Sequence, residues 1–167
     1  MKSFPQDFKV EKCGKSEVYA DPKVTVPHPY IQISVLQPYE CVPMWRHVRD
    51  YLKPAVELSN GRWTLEYVIA GLATGQQNLW IAADENKNVI AAATTQVVDY
   101  PMRRMLTMHF IGGDDFDSWY TLMLNSMSAF AKSAGCDGIE CVARMGFWKW
   151  FKEDGFSKSS AFYERPV

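Results

Sequence analysis

Residues 144–156 read RMGFWKWFKEDGF. Phe147, Trp148, Trp150 and Phe151 crowd the middle of this run, which stops at Gly155-Phe156. A glycine after an apolar turn supplies the left-handed backbone that ends a helix, which other residues resist. The pattern predicts a short helix over 145–154. Phe156 should fold back onto an apolar face made by Phe147, Trp148 and Phe151. Aromatic area of this kind plugs a sheet. The residues that follow, 157–165, predict one last strand.

Working back from there, the clearest helix has Trp119, Leu122, Met123, Met127, Phe130, Ala131 and Ala134 at helical spacing, closed by Gly135. Asp117 or Ser118 is its expected N-cap. Between the two helices, 139–142 predicts a strand. Ahead of them, 79–83, 89–99 and 104–111 predict three strands. The short links at 84–88 and 100–103 make these an antiparallel meander. Further back, 30–37 alternates as a strand that Pro38 ends. A helix over 42–51 carries Pro43 in its first turn, and Pro54 bends or restarts it. SNGR at 59–62 is a turn, and Thr64 caps a helix over 65–73. Residues 1–29, with Pro5, Pro22, Pro27 and Pro29 and no sustained period, read as an extended arm on a domain of 30–167. The class is α/β, a mixed sheet with helices on both faces.

Composition narrows the partners. The chain has 167 residues, is 47 % hydrophobic and carries a formal net charge of −1. That buries a core and lacks the basic surplus of a nucleic-acid binder. Cys13, Cys41, Cys136 and Cys141 form no zinc spacing and read as reduced thiols. The first residues are too polar for a signal peptide, and no apolar run approaches the roughly 18 residues of a membrane span. The expectation is a soluble cytoplasmic protein without a metal site.

The element order, with the aromatic–x–x–x–Gly–Phe ending at Phe151–Phe156, resembles the GNAT superfamily of acyl-CoA-dependent N-acyltransferases. The resemblance spans about 30–165. It implies that acetyl-CoA, if bound, meets Phe110, Ile111, Gly112 and Gly113 at the end of the central strand. Arg144 would lie where two central strands splay. The resemblance further implies a general base near the end of the central strand, which His109 matches, with Glu140 on the next strand as the other candidate. Their structural alternatives are a packed histidine and a paired edge carboxylate. Arg144 could equally pair with Glu140 or Asp114.

Two departures argue against that chemistry. The family's pyrophosphate loop, Arg/Gln-x-x-Gly-x-Gly/Ala, is replaced by GGDDFDS at 112–118. Asp114, Asp115 and Asp117 then stand where a polyanion should land. The tyrosine that many members place four residues before the glycine of Gly-Phe is Phe151, which has no proton to give. Tyr163 could replace it only if the last strand brought it near. The Gly-Gly-Asp loop, the helix ending Gly135-Cys136 and the Arg144-x-Gly-aromatic start also look like small GNAT-like proteins of tailed phages and prophages. That implies a binding or assembly protein, in a virion or in host cytoplasm, with either no cofactor or acetyl-CoA. The alternatives are a working acyltransferase with an unusual CoA site and an inhibitor that docks on a host enzyme through exposed tryptophans among Trp45, Trp148 and Trp150.

Overall fold

The computed structural model describes residues 30–161 and 163–165. The arm expected over 1–29 lies outside them. β1 (Gln32–Leu36) is followed by α1 (Pro38–Glu57) and α2 (Leu65–Ala73). Three strands come next: β2 (Asn78–Ala83), β3 (Val89–Asp99) and β4 (Arg104–Gly113). α3 (Phe116–Ser133), β5 (Gly138–Cys141), a 3-10 turn (Met145–Phe147) and α4 (Trp148–Phe151) complete the order. The sheet runs β1-β2-β3-β4-β5. Every pair up to β4 is antiparallel, and β4–β5 is parallel.

Two apolar layers sandwich this sheet. Val48, Leu52 and Val56 of α1 and Val68 and Leu72 of α2 pack on Leu79, Ile81 and Phe110. On the other face Trp119, Met123, Met127 and Phe130 of α3 and Phe151 of α4 pack on Trp80, Leu106 and Met108. The class and the two-faced cover agree with the sequence reading.

Several elements differ from it. α1 is one helix from Pro38, not a helix over 42–51 that restarts at Pro54. Pro38 takes the first turn, and the Gln37 N–H donates to the Glu40 carboxylate at 2.7 Å. Pro43 and Pro54 lie inside the helix on its exposed side, as do Tyr39 and Asp50 four residues before them. The carbonyls those prolines leave unbonded therefore face water, and the helix continues. α3 starts at Phe116, with Asp115 as N-cap at φ 48°, not Asp117 or Ser118.

The expected loop at 112–118 is much shorter, because Gly112 and Gly113 extend β4 and pair with Ala92 and Ala91. Finally, the described residues of 157–165 form no strand. The helix read over 145–154 is a 3-10 turn and the four residues of α4, but its ending behaves as expected. Gly155 has φ 80°, and Phe156 donates its N–H to the Phe151 carbonyl at 3.0 Å. The two rings lie 4.8 Å apart.

Alternation along β4 also breaks. Phe110 pairs with Thr94 and Met108 with Thr95, so His109 is an extra residue bulged out of the ladder. The sequence places Phe110 on one face with Leu106 and Met108. The bulge turns it to the opposite core, beneath α1 and α2, and sends Ile111 to the α3 side.

Candidate functional site

The bulge aims His109 and Phe110 to the same side of the sheet, and Trp63 meets both. Its ring lies 5.2 Å from His109 and 5.8 Å from Phe110. His109 Nε2 is 3.2 Å from Gln96 Oε1. As a neutral ring it donates there, leaving Nδ1 as the acceptor. Burial pushes the His109 pKa down, and the nearby Glu140 carboxylate partly offsets this. His109 is therefore held neutral, the state a general base needs. Glu140 sits opposite Thr107 on β5. Its Oε1 accepts from the Tyr100 hydroxyl at 2.7 Å and from Thr107 Oγ1 at 2.8 Å. The Tyr100 pKa is raised by that hydrogen bond.

His109 and Glu140 thus share one polar face, coupled through charge and not through a shared hydrogen bond. Trp63, Gln96 and Tyr100 were not singled out from sequence as site residues. Only the turn at 59–62 and the β3–β4 pairing bring them there.

The residues implied for a cofactor are dispersed. Phe110 is core beneath α1 and α2, and Ile111 packs toward α3. A Cβ on Gly112 would stand 2.1 Å from the Tyr51 carbonyl oxygen, and one on Gly113 would stand 2.3 Å from Ala91 Cβ. The space on the side-chain side of these glycines is filled by α1 and β3.

Asp114 is tied down on three sides. Its N–H donates to Ile90 O at 2.9 Å. Its carbonyl accepts from Trp119 Nε1 at 2.6 Å, and its carboxylate accepts from the Tyr51 hydroxyl at 3.1 Å. At the start of α3, Phe116 stacks on Tyr120 at 4.6 Å and meets Trp150 at 4.7 Å and Phe147 at 5.8 Å. Trp150 Nε1 donates to Asp117 Oδ1 at 2.8 Å. The Ser118 N–H is already bonded to Asp115 O at 3.0 Å. Coenzyme A does not fit this donor set. The helix start is exposed and ringed by Asp114, Asp115 and Asp117, whose charge opposes a pyrophosphate.

Arg144 is exposed at the start of the 3-10 turn. The carboxylates it could have paired with, Glu140 and Asp114, are bonded elsewhere. Phe151 is buried, and Tyr163 is 88 % exposed. The buried Tyr120 hydroxyl has its pKa raised by burial and by Asp154, which makes it a weak acid. Among the described residues no group of His, Cys, Asp and Glu could hold a metal ion, and no helix is long and apolar enough to cross a membrane.

No protein-family model and no curated protein matches the chain. Solved structures do. A Bacillus halodurans protein aligns with TM-score 0.64 at 12 % identity, over 81 % of this chain and 99 % of its own. The ribosomal-protein-alanine N-acetyltransferase of Brucella melitensis aligns with TM-score 0.62 at 10 % identity, over 83 % and 99 %. An aminoglycoside acetyltransferase from an uncultured soil sample, solved with trehalose, gives 0.59 at 14 %, over 82 % and 97 %. At such identities the likeness is one of architecture, and the architecture of this chain is the GNAT acetyltransferase fold.

Proposed function

We propose that this chain uses the acetyltransferase fold as a binding and assembly protein, without coenzyme A-dependent catalysis. The observation that carries this reading is the start of α3, where Asp114, Asp115 and Asp117 surround the helix end and Trp150 is bonded to the Asp117 carboxylate. A pyrophosphate there would also face Asp114, Asp115 and Asp117. Each like-charge pair near 4 Å costs about 4 kcal/mol at an effective dielectric of about 20, before screening. The partner is a protein or a second copy. A phage virion or internal virion particle is the setting that the sequence resemblance suggests.

Calorimetric titration with acetyl-CoA tests this. The expected result is no binding heat at several hundred micromolar ligand. Micromolar affinity would overturn it in favour of the second reading, an N-acyltransferase with an unusual CoA site and His109 as base. The neutral, half-buried His109 beside Trp63 and Glu140 favours that reading. In that case His109→Ala and Glu140→Gln should lose turnover. Docking on a host enzyme through exposed tryptophans gains no support, since Trp45, Trp148 and Trp150 are all half-buried.

A further inference from the structure

β5 is the last strand of the sheet, and no described residue pairs with its outer side. The Asp137 N–H donates to the Arg104 carbonyl at 2.7 Å. Backbone groups of successive strand residues point to opposite sides, so Gly138 and Glu140 aim theirs away from β4. Such an unpaired row is a template for another strand. A charged side chain usually guards an edge of this kind, but the Glu140 carboxylate is tied to Tyr100 and Thr107. Just beyond it, Val142 and Met145 are 82 % and 77 % exposed.

A groove of about 1170 Å³ runs by this edge, lined by Ile139, Cys141, Trp148, Phe156 and residues 157–161, with Leu124 and Ser128 of α3. That exceeds the roughly 300–1,000 Å³ of small-molecule sites. With open backbone donors and acceptors it suits an extended peptide.

The sequence holds a segment of matching length. Lys23-Val24-Thr25-Val26 alternates, is rich in β-branched residues and lies between Pro22 and Pro27. The prolines limit its pairing to about the length of β5, which has 4 residues. It cannot reach its own β5. The described chain enters at β1, on the opposite edge, four strand spacings or about 19 Å away. Val26 is tethered to Tyr30 by at most about 14 Å of extended chain, and helices cover both faces in between.

We infer that Lys23–Val26 of one copy adds as a sixth strand to β5 of a second copy. Each copy then both gives and accepts a strand, so reciprocal exchange closes a dimer and sequential exchange builds a longer assembly. This rests on the assembly reading above, but the two fail separately, because the acetyl-CoA titration does not involve the arm.

The test is sedimentation of the full-length protein at tens of micromolar, with amide exchange read at residues 138–142. The wild type should assemble and protect the Gly138 and Glu140 amides. Thr25→Pro should be monomeric, with those amides exchanging about tenfold faster or more. Lys12→Pro, in the arm but outside the segment, should still assemble. A monomeric wild type overturns the inference, and so does assembly that survives Thr25→Pro. A monomer with protected amides also overturns it, by assigning the edge to the chain's own residues.

Discussion

Gly112 shows how little space one residue type can leave. Its place on β4 is in ordinary strand, so its role is not a special backbone angle. It lets the Tyr51 carbonyl of α1 come down onto the sheet. Gly112→Ala should cost about 3 kcal/mol, the upper end for overpacking, because the atom it meets is backbone and cannot rotate away. Gly146→Ala, where an added Cβ meets nothing within 4 Å, should stay within about 0.5 kcal/mol in the same urea titrations.

His109 makes a prediction about pH. Its folded pKa lies below the unfolded value, so between the two the unfolded chain binds more protons. Its contribution to stability is complete above about pH 6.5 and is lost as pH falls through the folded pKa. His109→Gln should flatten the fall in stability below about pH 6.5, measured by urea midpoints. An unchanged slope would mean that the ring titrates as it does in water.

At the scale of elements, α3 and α4 hold each other. α4 is a single turn that could not persist alone. It persists because Phe147 and Trp150 close on Phe116 while Phe156 folds back from behind. Trp150→Phe keeps most of that ring contact and removes the bond to Asp117. It should cost about 1 kcal/mol, the usual net worth of one hydrogen bond. It should not create acetyl-CoA binding, since the Phe116 stack and the aspartates remain. Micromolar heat in this variant would make the single hydrogen bond the gate.

Across the whole molecule, strands and helices with strong period were legible in the sequence. Thr64–Ala73, Val89–Asp99 and the Gly155-Phe156 stop lie where the pattern puts them. What was not legible depends on neighbours in space. The extra residue at His109 has no local signature, yet it moves Phe110 from one core to the other. Pro54 looks like a break until the residue four before it, Asp50, is seen to lie on the exposed side of the helix. The run at 157–165 has strand-like residues, but no described strand pairs with it. Of the candidate site, His109 and Glu140 do share a face. The groups that set their state, Trp63, Gln96, Tyr100 and Thr107, come from separate parts of the chain.

The strand order bears on the making of the protein. In this sheet each strand lies beside the one that precedes it in the chain. A ribosome releasing the chain from its amino end therefore lets every strand dock on one already waiting. No strand has to open a finished pair to find its place, and from β2 to β4 each strand folds back on the one just before it through a short link. Growth proceeds from a single side, and β5 is the last of the described rows to be laid. When it forms, that row is the part of the described sheet least screened from other newly made chains.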